Sequence, residues 1–242
     1  MTPTRLALRL LALLGLCLLA LQLALGVRVL AMRWVDPAST TFQRSEALRL
    51  VRAVAQPAWS QEWVPYARVS DHLKRAVVAS EDAGFTEHHG VEWDAIEKAW
   101  GRNQRNQRNQ AQPARPGRPP KLVGGSTITQ QLAKNLFLSG ERTALRKGQE
   151  ALVMLMLEAL LPKQRILEIY LNHVEWGEGL FGAQAAAGFY FKKDAARLGR
   201  DEAARLAVML PAPKYFERHP ASPYLMQRAA TVAARMAAVA LP

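Results

Sequence analysis

The chain has 242 residues, half of them hydrophobic and 21% charged, and its formal net charge is +12. That length supports one sizeable domain with an appendage and excludes a string of domains. The positive balance calls for a polyanionic partner, whether nucleic acid, anionic lipid or a phosphorylated substrate, and the single cysteine, Cys17, excludes a disulfide framework and a thiolate metal site.

From Leu10 to Val27 there is no charged residue, and Gln22 is the one clearly polar side chain. A stretch of that length suits one membrane-spanning helix. A cleaved signal peptide is the alternative, but no small-x-small site leads into a polar start, and apolar sequence runs on through Val29-Leu30-Ala31-Met32. The expectation is an uncleaved anchor over residues 10–30 behind a short tail, 1–9. Arg5 and Arg9 on one side balance Arg28, Arg33 and Arg44 on the other, so the flanking charges leave its orientation open. Residues 31–60 read as a linker with a short helical piece around Ser45–Val54. Pro57 and Pro65 punctuate the approach to a domain over 61–242.

Helical spacing predicts a helix over Asp71–Glu81, where Leu73, Ala76, Val77, Ser80 and Glu81 share one face. That face begins apolar and ends in a carboxylate. A glutamate at the edge of a buried stripe loses solvation, which raises its pKa towards the range of a general acid or base. Taken alone, Glu81-Asp82 reads more readily as a solvated helix end. Gly84 and Gly90 allow sharp turns afterwards, and Trp93, Ile96, Ala99 and Trp100 predict a further amphipathic helix.

Between Gly101 and Lys121 the pattern breaks. Arg-Asn-Gln occurs three times in succession, followed by a Pro/Gly/Arg tract without an acidic residue. Such a composition buries no apolar surface, and residues 102–120 are expected to form a disordered basic loop. A single-strand nucleic-acid segment would add stacking aromatics, which this tract lacks. Gly124, Gly125, Ser126 and Thr127 then make a helix start. Ile128, Leu132 and Leu136 line one face of that helix, while Thr127, Gln130, Gln131 and Lys134 line another, a strip suited to a sugar or a phosphate and equally to solvent. The segment Arg146-Lys147-Gly148-Gln149-Glu150 opens the next helix. Residues 151–157 are all apolar, the pattern of a helix buried all round. At its mouth Glu150 is either a second partly desolvated carboxylate or half of a surface pair with Arg146.

Lys163 to Asn172 reads as another helix, leading into a formal GxGxxG over Gly177–Gly182. Helical sequence precedes it and no βαβ pattern surrounds it, so the glycines fit close packing against a helix over 183–191 better than a dinucleotide site. The five histidines show no metal-ligand spacing, which predicts no metal held by protein ligands. Residues 201–210 and 223–240 are further Ala/Leu-rich helices around a turn at Leu210-Pro211-Ala212-Pro213.

Taken together, these stretches resemble the family 51 glycosyltransferases, the peptidoglycan polymerases, and among them the monofunctional subgroup of Gram-negative bacteria. The family's EDxxFxxHxG matches Glu81, Asp82, Phe85, His88 and Gly90. Its GxSTITQQLxKN matches Gly124 and Ser126 to Asn135 with Ala133 free, and its RKxxE matches Arg146, Lys147 and Glu150. KxxILExYLN matches Lys163, Ile166, Leu167, Glu168, Tyr170, Leu171 and Asn172, followed by the glycine cluster. The flanks Trp63-Val64-Pro65-Tyr66 and Ser222-Pro223-Tyr224-Leu225 fit the monofunctional subgroup. Met154 stands where an alanine is common, and the Arg-Asn-Gln loop lengthens the gap between the first two motifs.

The resemblance implies a mainly α, lysozyme-like domain with a small membrane-proximal lobe behind one transmembrane helix. It implies polymerisation of lipid II into β-1,4 glycan strands with loss of undecaprenyl pyrophosphate, inversion at the anomeric carbon, and no transpeptidase activity. Glu81 and Glu150 become the catalytic candidates, Glu81 as general base. Asp82, Phe85, His88, Ser126, Thr127, Gln130, Gln131, Lys134, Asn135, Arg146 and Lys147 become the substrate-binding candidates. A divalent cation (Mg or Mn) enters only as a stimulant. The expected partners are lipid II, the growing lipid-linked glycan, the inner membrane and other cell-wall or division proteins, with no nucleic acid, and the domain is expected to face the periplasm.

Overall fold

A computed structural model describes residues 3–53, 58–91, 126–138, 140–141 and 143–242. The Arg-Asn-Gln loop, the helix expected around Trp93–Trp100 and the glycines at 124 and 125 lie outside the described residues.

Helix α1, Pro3–Ala31, is long and apolar enough to cross a membrane, and most of it stands clear of the domain. Its final turns do not. Leu25 is partly covered, and Val29 and Met32 are buried in the main core. Helix α2, Thr41–Ala53, occupies the stretch expected to be linker, and it is a folded part of the domain. Its start is fixed by a reciprocal cap in which Thr40 Oγ1 accepts from Gln43 N at 3.0 Å and Gln43 Oε1 accepts from Thr40 N at 2.8 Å. Thr40, Gln43 and Leu50 are buried, and Thr41 Oγ1 donates to the Leu136 carbonyl at 3.0 Å.

Helix α3, Asp71–Glu81, starts at Ser70, whose hydroxyl accepts from His72 N, and buries Leu73, Ala76, Val77 and Val78. Helices α4, Ile128–Phe137, and α5, Ala144–Leu160, are capped by Thr127 and Thr143. Contrary to the all-round burial expected of α5, only one face is covered. Val153, Met154 and Leu157 are buried, whereas Leu145, Leu152 and Leu155 face away from the core and are 86%, 46% and 54% exposed.

Helix α6, Lys163–His173, leads into a small sheet of β1 (Ser60–Gln61), β2 (Glu175–Gly177) and β3 (Leu180–Phe181), ordered β1-β3-β2. β1 runs parallel to β3, while β2 and β3 form an antiparallel hairpin. The glycine cluster makes this hairpin. Gly179 (φ +69°) and Gly182 (φ +85°) lie in the left-handed region, where a Cβ would stand 2.2 Å from the Ala58 carbonyl oxygen and 2.8 Å from that of Asn172. Close packing, not a phosphate loop, explains the GxGxxG.

Helix α7, Ala183–Phe191, follows, then α8 (Arg200–Met209), a short α9 (Pro213–Arg218) and α10 (Pro223–Arg235). α3 packs on α8 and α10, and α4 on α2 and α5. Asn172 ties the chain before α3 to the centre. Its Oδ1 accepts from Val64 N at 2.9 Å, and its Nδ2 donates to the carbonyls of Val64 and Glu168, each at 2.9 Å. Being fully buried with both ends of its amide satisfied, Asn172 acts as a rivet between two segments far apart in sequence.

Candidate active site

The end of α3 and the start of α4 are clipped together by side chains that were expected to bind substrate. Asp82 breaks α3, and its Oδ2 accepts from Ile128 N at 2.9 Å, an anion on a helix N-terminus. Its Oδ1 pairs with His88 Nε2 at 2.7 Å, while His88 Nδ1 accepts from Gly90 N at 3.0 Å. Thr127 Oγ1 donates to the Gly90 carbonyl at 2.7 Å and accepts from Gln130 N at 3.3 Å. Gly90 (φ +84°) lets the strap lie flat, since a Cβ there would stand 2.1 Å from Met154 Sδ. Phe85 is fully buried, with Lys163 Nζ 4.5 Å from its ring centroid.

Asp82, Phe85 and Thr127, expected to bind substrate, are turned inward at 4%, 0% and 3% exposure, where they build the corner that presents Glu81 and α4. His88 belongs to the same clip, and its side chain is 10% exposed.

The remaining candidates do converge. A cleft of about 420 Å³ opens between α2, α4 and the start of α5. One wall carries Ser126, Gln130, Gln131, Lys134 and Asn135, and another carries Arg146, Lys147 and Glu150. Glu150 is almost completely buried. One of its oxygens accepts from Arg146 Nη1 at 2.8 Å and the other from Lys147 Nζ. Arg146 Nε is buried with no hydrogen-bond partner among the described residues. A guanidinium lining the cleft is suited to an incoming anion.

Glu81 is not in the cleft wall but is joined to it through Gln131, whose Nε2 donates to Glu81 Oε2 at 2.9 Å. Burial pushes the Glu81 carboxyl above its ordinary range, the Gln131 amide and the Arg228 guanidinium pull it back, and the Asp82 charge adds to the rise. Tyr170 completes a relay by donating its hydroxyl hydrogen to Gln131 Oε1 at 3.0 Å, which fixes the amide with its NH₂ towards Glu81.

Sequence reasoning missed Tyr170 and Arg228 as neighbours of Glu81, and Phe42, Ser45 and Glu46 as the third wall of the cleft. Tyr170 stood within a motif, yet nothing in its spacing reveals that its hydroxyl reaches α4. For α2 a signal existed, because Thr40-x-x-Gln43 is a capping box.

A family profile described as transglycosylase matches residues 47–237. The chain belongs to the transglycosylase family. Its fold is accordingly the mainly helical, lysozyme-like one. The chain is similar to a biosynthetic peptidoglycan transglycosylase of Bordetella pertussis, 55% identical over 207 residues, covering 86% of this chain and 82% of the relative. It is similar to proteins of that same description from Burkholderia thailandensis, 51% identical over 93% of this chain and 83% of the relative, and from Paraburkholderia phytofirmans, 47% identical over 99% and 95%. Family membership makes the chain a peptidoglycan glycosyltransferase.

Proposed function

We propose that this transglycosylase polymerises peptidoglycan glycan strands from lipid II, releasing undecaprenyl pyrophosphate. The observation that carries the reading is the arrangement around Gln131. A carboxylate with a burial-raised pKa touches its amide, and the same helix face carries Lys134 and looks across a cleft at Arg146 and Lys147.

In this reading Glu81 takes the proton from the 4-hydroxyl of the acceptor sugar. The freed oxygen attacks the anomeric carbon of the donor from the face opposite the pyrophosphate. The carbon–oxygen bond to pyrophosphate breaks in the same displacement, which inverts the anomeric centre. Charge collects on the departing pyrophosphate, and Lys134, Arg146 and Lys147 offset it. Ser126, Gln130 and Asn135 supply polar contacts along the wall. Glu150 acts by orienting Arg146 and Lys147. With its two oxygens on those cations it does not fit a protein-held divalent ion, and among the described residues no cluster of three potential ligands stands anywhere else. A stimulatory cation would then be a counter-ion of the substrate itself.

An anionic substrate anchored in the inner membrane also accounts for the net charge and for α1, with the domain on the periplasmic face. A lytic enzyme would need the carboxylate but not the cations, and a scaffold would need neither. Purified full-length protein is incubated with labelled lipid II and, separately, with preformed glycan. Polymer from lipid II and intact preformed glycan are expected; fragmentation of the glycan without consumption of lipid II would overturn the reading.

A further inference from the structure

Gln22 is the polar interruption of the apolar run in α1, and its partner is in the catalytic domain. Its Nε2 donates to Gln149 Oε1 at 2.9 Å, and Gln149 Nε2 donates back to Gln22 Oε1 at 3.1 Å. Two amides that satisfy one another form a closed pair. Within hydrocarbon, where neither has water as an alternative, such a pair is retained.

The pair is one end of a seam. On α1 and one residue past its end, Gln22, Leu25, Val29 and Met32 follow helical spacing, and Leu25, Val29 and Met32 join the domain core. On α5, Gln149, Val153, Met156 and Leu160 follow the same spacing, and the last three join that core as well. At the other end, Arg165 Nε donates to the Met32 carbonyl at 2.7 Å, and the same guanidinium pairs with Asp36 at 2.6 Å. Ten residues of helix separate Gln22 from Met32, roughly 15 Å at the α-helical rise. The two helices thus run the same way between two polar pins, and the start of α5 is carried back along the anchor by that distance. Lys147 and Glu150, which flank Gln149, form part of the cationic wall of the cleft.

We propose that the Gln22–Gln149 pair is a positioning latch. It fixes the depth of the cationic wall along the membrane anchor, so that the wall meets the phosphate level of a lipid-linked substrate. Gln22 and Gln149 are positioning residues, not catalytic ones: neither lines the cleft. The inference rests on the proposed reading that the substrate is lipid-linked and that α1 is embedded.

The test uses full-length protein in phosphatidylethanolamine/phosphatidylglycerol vesicles, with Cys17→Ala and nitroxide labels at Leu18→Cys on α1 and Leu145→Cys on α5, both exposed positions. A narrow distance distribution is expected with the latch intact. It should broaden in Gln22→Leu and in Gln149→Leu, each of which leaves one amide unpaired. In unlabelled protein each substitution should raise KM for the lipid-linked substrate about threefold to tenfold, with kcat within about twofold. The double Leu variant should lose less than the product of the two singles, because they share one interaction. Unchanged distances in both single variants, or KM effects that simply multiply, would overturn the latch. Should wild type fail to use lipid II at all, the functional reading falls while the spin-label distances still decide the latch.

Discussion

Burial and hydrogen bonding act on Glu81 in opposite directions, and the balance sets when it can serve as a base. Its carboxyl is raised by burial and lowered by the Gln131 amide and by Arg228. A base must be ionised, so the rate should rise as pH climbs through this elevated pKa. Removing a group that stabilises the anion should move that acidic limb to higher pH. Gln131→Leu is expected to do so, and Tyr170→Phe should do so to a smaller degree, because the Tyr170 hydroxyl orients the amide. The loss of one such hydrogen bond, about 1 kcal/mol net, predicts roughly a fivefold fall in kcat for Tyr170→Phe. The check is a pH–rate profile of each variant; a limb that stays put or moves down would contradict the relay. At this scale helical spacing alone puts Glu81 at the end of an apolar stripe, while its role and that of the cations came only with the family resemblance. It could not separate residues that face the cleft from those that build it. Asp82, Phe85 and Thr127 stand in the same motifs, and only burial shows them turned inward.

At the scale of elements, the corner between α3 and α4 depends on Gly90. Its left-handed φ and the 2.1 Å approach of a would-be Cβ to Met154 Sδ leave no room for a side chain. Gly90→Ala is expected to cost about 2–4 kcal/mol in backbone strain and overpacking. That corresponds to a Tm lower by roughly 5–15 °C in calorimetry for a domain of this size, with activity lost in parallel as the clip on α4 loosens. A Tm within about 2 °C of wild type would show that the strap is not tightly packed. Most helices were legible because their apolar residues repeat at helical spacing; the expected Asp71–Glu81 helix coincides with α3. Within the stretch 31–60 read as linker, the short helical piece expected around Ser45–Val54 overlaps α2, but its packing into the fold was not legible. α2 buries little beyond Gln43 and Leu50, so its packing depends on partners far off in sequence. The small sheet escaped for a similar reason, because strands of two or three residues carry no period to detect.

Across the whole molecule, stability and chemistry respond to pH through different carboxylates. Glu175, on β2, is almost fully buried, and its pKa is pushed up to about 7 by burial, with Lys214 acting against the rise. A carboxyl raised in the folded state holds its proton there between the ordinary value near 4.5 and about 7, whereas the unfolded chain has released it. Stability from this group is therefore fully present below pH 4.5 and is lost as pH rises through 7. Glu175→Gln should leave Tm nearly unchanged at pH 4.5 relative to wild type and raise it at pH 8, as thermal unfolding at the two values would show. An advantage confined to acid pH would reverse the assignment. The central claim is that Glu81 is the base of glycan synthesis opposite a cationic donor site. It is tested most directly by Glu81→Gln in full-length protein given labelled lipid II, with binding of the lipid measured alongside polymerisation. The amide keeps the shape and removes the charge. Polymerisation is predicted to fall by about 10²–10⁴-fold while lipid II binding stays within a few-fold of wild type. Polymerisation at more than about a tenth of the wild-type rate, with binding intact, would contradict it.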